Sequence, residues 1–128
     1  EAIQRLQQAV QAIPADHPNR AGTLNNLGLA LHTRFESTGA TADLDEAIQR
    51  LQQAVQAIPA DHPNRAGTLN NLGLALQSRF GRTGTTADLE EAIQRLQQAV
   101  QTIPADHPNR AGALNNLRNA LQMRSGRT

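Results

Sequence analysis

The stretch EAIQRLQQAV at positions 1–10 returns unchanged at 46–55 and at 91–100, and this repetition decides the fold. The copies start 45 residues apart, and residues 1–45 and 46–90 differ at only six positions. The third copy, 91–128, is shorter. Since near-identical units occupy near-identical environments, the chain is predicted to be a single repeat array over residues 1–128.

The repeated stretch is typical of an amphipathic helix. Ile3, Leu6, Val10 and Ile13 recur at spacings of three and four, which places them on one face. Pro14 follows and predicts the end of the helix, because the residue before a proline is disfavoured in the helical conformation.

Charged residues support the same helix in each repeat. Asp43 lies three residues before Glu46, a spacing that resembles a capping box at the helix start. Acid and base are also four residues apart, which favours surface ion pairs within the helix. These pairs are Glu1–Arg5, Glu46–Arg50 and Glu91–Arg95.

A second helix is predicted from HPNRAGTLNNLGLALHTRF at 17–35. His17 is expected to be its N-cap and Pro18 its first helical residue, and residues 37–43 are expected to connect it to the next helix. Its apolar stripe contains Leu24, Leu27, Leu31 and Phe35.

Two glycines interrupt this second helix. Gly28 and Gly73 lie in mid-helix, where glycine costs roughly 1 kcal/mol relative to alanine. Their repetition predicts a neighbouring helix too close for a side chain, and the small residues Ala47 and Ala54 fit such a crossing.

The pattern resembles the tetratricopeptide repeat (TPR). The resemblance rests on Leu27, Gly28, Leu31, Ala47, Leu51, Ala54 and Pro59. It implies an all-α, right-handed TPR-like solenoid, here of six antiparallel helices. The period exceeds the usual 34 or so residues of this family, and the additional residues are expected at 38–42 and 60–62.

Two branches of the family are similar to particular stretches. DHPNRAGTLNNLGLAL resembles the long-period branch of kinesin light chains. TRFESTGATADLDEAI resembles near-identical arrays in fungal and bacterial signalling proteins, which are attached to NTPase or CHAT protease domains. Any such effector domain would lie outside these 128 residues.

The TPR resemblance also implies a peptide-binding groove lined by one helix of each repeat. An asparagine amide both donates and accepts hydrogen bonds, so repeated amides can hold an extended peptide backbone. The implied groove residues are Asn25, Leu29, His32, Asn70, Leu74, Gln77, Asn115, Asn119 and Gln122. For the second asparagine of each pair, the alternative is a hydrogen bond between adjacent helices.

Catalytic and metal chemistry have no support in the sequence. Cysteine and lysine are absent, and no GxSxG elbow occurs. His17, His62 and His107 repeat in one DHP context, and helix packing distances of about 8–10 Å would keep them apart in a stack. We therefore expect helix capping by these histidines, with no metal, no cofactor and no enzymatic activity.

The composition also excludes some classes of partner and indicates a location. The net charge is +1 and the only aromatics are Phe35 and Phe80, which disfavours nucleic-acid binding. No apolar run approaches the roughly 20 residues of a membrane span, and no signal peptide is recognisable. A cytoplasmic location without membrane contact is expected.

The two ends differ. Arg118, Asn119 and Ser125 replace Gly73, Leu74 and Phe80, which predicts a solvent-exposed last helix. The first helix keeps its apolar stripe of Ile3, Leu6, Val10 and Ile13, which predicts either a longer parent chain or self-association through an open face.

The leading functional hypothesis is a scaffold that binds a protein or peptide in the groove. The alternative is an oligomerisation or sensing array within a larger signalling protein. Both a natural origin and consensus engineering of the repeats remain open.

Overall fold

The computed structural model describes residues 2–126, and these residues form α-helices joined by short loops, without any strand. The predicted all-α class with six helices is confirmed for these residues. The six described helices are α1 (Ala2–Ala12), α2 (Arg20–Thr38), α3 (Thr41–Ala57), α4 (Arg65–Thr83), α5 (Thr86–Thr102) and α6 (Arg110–Ser125).

The chain divides into two compact units. The first, residues 1–62, contains α1, α2 and α3, and the second, residues 63–128, contains α4, α5 and α6. The continuous array over 1–128, with repeats at 1–45, 46–90 and 91–128, stays a prediction.

The core of the first unit forms where α2 packs against both α1 and α3. Its buried members are Ile3, Val10, Leu24, Leu27, Leu31, Ala47 and Ala54, and Leu6 packs at its edge. Ile3 and Val10 are only 8% and 3% exposed, because this side of α1 faces the cluster. Of the predicted open face, Ile3 and Val10 are thus buried, whereas Leu6 and Ile13 are half-exposed. Self-association through this face stays a prediction.

The close helix crossing predicted from the glycines is confirmed in both units. A Cβ atom on Gly28 would lie 2.5 Å from Leu51 Cγ and 3.2 Å from the carbonyl oxygen of Ala47. On Gly73 it would lie 2.7 Å from Leu96 Cγ. Because carbon atoms pack at about 3.5–4.0 Å, a larger residue at either position would force the helices apart.

The connection from α2 to α3 is shorter than the predicted 37–43 segment. Only Gly39 and Ala40 separate the helices, because Gly39 adopts φ 75°, a left-handed conformation that glycine tolerates. Its N–H donates to the Phe35 carbonyl at 2.7 Å. Thr38 Oγ1 accepts a hydrogen bond from the Ala40 N–H and completes the turn.

An ion pair joins the same two helices, and sequence analysis missed it. Arg34 Nε and Nη2 each donate to the Asp43 carboxylate at 2.8 Å. These hydrogen bonds lower the pKa of Asp43, against an opposing effect of burial and with a smaller favourable effect of the Arg34 charge. Arg79 and Asp88 repeat the arrangement at 2.9 Å.

The predicted capping box is wrong because α3 begins at Thr41, which places Asp43 inside its first turn. The predicted i,i+4 ion pairs form for Glu46–Arg50 and Glu91–Arg95, each at 3.5 Å. The equivalent pair Glu1–Arg5 lies outside the described residues, since Glu1 is not among them.

The predicted N-cap role of His17 is wrong, because the N-cap of α2 is Asn19 and the histidine lies in the preceding loop. The helix α2 begins at Arg20, two residues after the predicted start at Pro18. His17 Nδ1 accepts a hydrogen bond from the Asn19 N–H at 3.0 Å, and His107 accepts one from the Asn109 N–H at the same distance.

In the second unit the central helix is α5, which packs against both α4 and α6, and α4 also contacts α6. Its core includes Leu89, Ile93, Leu96 and Ala120, with Phe80 packed against them. Arg118, Asn119 and Ser125 are exposed on α6, which confirms the predicted polar last helix.

Candidate peptide-binding surface

On α4, the three predicted groove residues lie on one face. Asn70, Leu74 and Gln77 follow each other at spacings of four and three, and all are half-buried. Asn70 Oδ1 accepts a hydrogen bond from Asn116 Nδ2 at 2.9 Å. Gln77 Nε2 contacts Met123 Sδ at 3.0 Å. Two of these side chains therefore join α4 to α6.

On α6, the corresponding residues Asn115, Asn119 and Gln122 are all exposed. They present a row of amide groups over two helical turns beside α4. Each amide can donate and accept hydrogen bonds, so this row offers a ligand both kinds of group.

On α2, the three corresponding residues differ in accessibility. Asn25 is half-buried, Leu29 is 45% exposed and His32 is 8% exposed. An exposed leucine offers an apolar contact surface, whereas little of the imidazole reaches solvent. Of the three, Leu29 is the residue most available to a partner.

In the second unit, one asparagine of each pair takes part in a hydrogen bond between α4 and α6. The interhelical alternative is confirmed for Asn116, but its partner is Asn70, the first asparagine of the preceding pair. Because this hydrogen bond joins asparagines of two different pairs, it could have been anticipated only from the packing of α4 on α6.

The His32 imidazole lies in an apolar setting. Its ring is stacked on Phe35, with centroids 6.5 Å apart and planes inclined by 21°. Burial lowers the pKa of His32 below its ordinary value of 6.5, and the negative charge of Glu36 opposes this only in part. The neutral imidazole is therefore favoured in the folded protein.

Replacing His32 by glutamine, the residue at the equivalent position 77, is expected to weaken the dependence of stability on pH. Because folding lowers the pKa, the unfolded chain takes up the proton first, so the parent loses stability as pH falls below 6.5. Urea unfolding of both proteins from neutral to mildly acidic pH measures this. The other three histidines are common to both, and equal pH dependence would contradict the expectation.

Two arginines, Arg20 and Arg110, donate hydrogen bonds to carbonyl oxygens at the C-terminal end of the preceding helix. Arg20 Nη1 donates to the carbonyl oxygens of Val10 at 2.9 Å and Ile13 at 3.0 Å, at the C-terminal end of α1. Arg110 makes the same two contacts to Val100 and Ile103. The signal that could have identified this role is the recurrence of arginine at one repeat position.

A shallow depression of about 670 Å³ lies beside α5 and reaches Arg124 on α6. Its charged residues pair with one another, Arg124 with Glu90 at 3.2 Å and Arg95 with Glu91 at 3.5 Å. Among the described residues, no group of three or more histidine, aspartate or glutamate side chains could hold a metal ion. None of the described helices has the length and apolar character needed to cross a membrane.

Comparison with known families identifies the tetratricopeptide repeat. Its family model matches residues 20–64 and 65–109, which together exceed half of the chain. Each matched segment begins at the helix that carries the paired asparagines, α2 or α4, and ends after the loop that follows the next helix. Comparison with curated proteins gives no match.

Among solved structures, the chain is similar to the crystal structure of a Podosopora anserina protein assigned to the kinesin light chains, with nearly identical TPR-like repeats. The TM-score is 0.72 and the sequence identity is 23%, over 97% of this chain. This likeness shows a shared fold. The chain spans 58% of the length of that structure.

Proposed function

Because the chain belongs to the tetratricopeptide repeat family, we propose that it binds an extended peptide segment of a protein partner on the faces that carry the paired asparagines. Repeats of this family generally serve as scaffolds for protein interactions. The α4–α6 surface is the best-supported site, because α4 and α6 lie side by side with Asn70 and Asn116 hydrogen-bonded between them.

The chemistry of this surface fits a peptide backbone better than a particular side chain. Asn115, Asn119 and Gln122 are exposed amides, and Leu74 is half-exposed on the neighbouring helix. A peptide in extended conformation presents alternating N–H and carbonyl groups, which amides can pair with on either side. In the first unit, taken separately, Leu29 is an exposed apolar residue at the position that corresponds to Leu74.

Peptide selection from a displayed random library, with the full chain as bait, tests the proposal. A selected peptide is then titrated by fluorescence anisotropy against the variant Asn115→Ala, Asn119→Ala, Gln122→Ala. Because each hydrogen bond contributes about 0.5–1.5 kcal/mol, loss of three is expected to weaken binding at least tenfold. All three residues are exposed, so the variant should remain folded.

The matched control replaces three exposed amides on the other helices, Gln11, Gln56 and Gln101, by alanine. We expect this control to bind the peptide like the parent. Equal weakening in both variants would contradict the proposed site. A selection that enriches no peptide would contradict the peptide-binding function and favour the alternative role in oligomerisation or sensing.

A further inference from the structure

Two of the six positions that differ between the full repeats lie on the helical face proposed to bind peptides. On α2 this face follows spacings of four, three and four, through Asn25, Leu29, His32 and Glu36. On α4, the equivalents of the last two residues are Gln77 and Gly81. The first unit therefore presents an acidic residue on this face where the second unit presents none.

The side chain of Glu36 lies at a position that is open in both units. Glu36 is exposed, and so is Gly81 on α4. A Cβ atom built on Gly81 would meet nothing within 4 Å. Accessibility is thus a property of this repeat position, and packing does not decide which residue occupies it. A reason for the glutamate has to be sought in its charge.

The charge of Glu36 is not compensated by a neighbour. Among the described residues, no arginine forms an ion pair with it. Arg34 lies two residues earlier, but its guanidinium binds the Asp43 carboxylate at 2.8 Å. His32 lies one turn earlier on the same face, but burial lowers its pKa, so the imidazole is mainly uncharged at neutral pH. The carboxylate of Glu36 is therefore available to a ligand.

Glu36 also lies where a negative charge disfavours the helix. The helix α2 ends at Thr38, so Glu36 belongs to its last turn, which contains no basic residue. The last carbonyl groups give this end of a helix a partial negative charge that repels a carboxylate. In α4 the last turn contains Arg82 instead. A residue that opposes local stability and fills no space in the core is expected to serve binding.

We propose that Glu36 selects a lysine or arginine side chain in the peptide that binds the α2 face, which makes the ligand of the first unit a basic peptide. This inference rests on the proposed function. An apolar residue of the same peptide contacts Leu29, which is 45% exposed, and the Asn25 amide pairs with the peptide backbone.

The distance between these contacts limits the ligand sequence. Leu29 and Glu36 are two helical turns apart, which is about 10.5 Å along the axis of α2. An extended peptide advances about 3.3 Å per residue. The apolar and basic residues of the ligand are therefore roughly two to four positions apart, since a long lysine or arginine side chain adds reach.

Parallel selections from one displayed peptide library, with the parent and Glu36→Lys as baits, test the inference. The variant should fold, because position 36 is exposed and a cation is favoured in the last turn of a helix. The parent is expected to enrich peptides with a lysine or arginine near an apolar residue. Glu36→Lys is expected to enrich aspartate or glutamate at that place.

The outcomes of the selections separate this inference from the function on which it rests. If the parent enriched peptides without a basic residue, or if Glu36→Lys enriched the same basic peptides, Glu36 would not determine specificity, although peptide binding would stand. If neither bait enriched a peptide, the peptide-binding function itself would be contradicted.

Fluorescence anisotropy with one enriched peptide measures the contribution of the charge. Glu36→Gln keeps the length of the side chain and is expected to weaken binding about threefold at low salt, as for an exposed ion pair. Glu36→Lys is expected to weaken it roughly tenfold, because a like-charge contact replaces an attraction. Added salt should bring the affinity of the parent close to that of Glu36→Gln, which a purely structural role of Glu36 would not cause.

The matched control is Asp16→Asn, which removes one negative charge from an exposed position in the loop before α2. This loop lies at the other end of the helix from Glu36, so the control is expected to bind the peptide like the parent. Equal affinities of the parent and Glu36→Gln at low salt, or an equal loss in Asp16→Asn, would overturn the inference.

Discussion

Replacement of Gly73 by arginine is expected to destabilise the second unit by more than about 3 kcal/mol. A Cβ atom alone would approach Leu96 Cγ to 2.7 Å, and Leu96 is completely buried between its neighbours. The guanidinium group would in addition have to leave water or push α4 away from α5. Either response separates the helices whose packing forms the core of this unit.

Circular dichroism at 222 nm during urea unfolding is a suitable measurement, because the chain contains no tryptophan and no tyrosine. The control is Gly67→Ala on the same helix, where a Cβ atom would meet nothing within 4 Å. Alanine should there leave stability unchanged or raise it by up to about 1 kcal/mol. A Gly73→Arg protein as stable as the parent would show that the crossing is not close in solution.

The glycine crossing also shows what the sequence could predict. A residue that weakens a helix, yet recurs at one position of a repeat, implies a packing reason strong enough to outweigh its propensity. The structure confirms this at Gly28 and Gly73. The helix ends before Pro14, Pro59 and Pro104 were predictable for a local reason, since proline restricts the residue that precedes it.

Features that depend on packing between helices were not predictable in the same way. The spacing of Asp43 and Glu46 predicts a cap because capping is a local interaction, but Asp43 binds Arg34 on the preceding helix. That contact exists only because α2 and α3 reverse direction within two residues.

Prediction of the candidate site from the sequence is limited in the same way. The resemblance placed Asn25, Leu29 and His32 together, and the helical register does put them on one side of α2. Their solvent exposure differs, however, because Leu29 is exposed and His32 is buried. The sequence pattern fixes the helical face of a residue, whereas its accessibility depends on the neighbouring elements.

Replacement of Gly28 by arginine is expected to destabilise the first unit by more than about 3 kcal/mol. A Cβ atom there would approach Leu51 Cγ to 2.5 Å and the carbonyl oxygen of Ala47 to 3.2 Å. Because the Ala47 carbonyl belongs to the backbone of α3, it cannot turn aside as a side chain can. The helices α2 and α3, whose packing forms much of this core, would therefore have to separate.

Urea unfolding followed by circular dichroism at 222 nm measures this loss, with Gly22→Ala as the control. Gly22 lies on the same helix, and a Cβ atom there would meet nothing within 4 Å, so alanine should leave stability unchanged or raise it. If Gly28→Arg cost no more stability than Gly22→Ala, the close contact between α2 and α3 would not contribute to the core of the first unit. A loss confined to Gly28→Arg would show that the recurring glycine is required because the neighbouring helix leaves no room for a side chain.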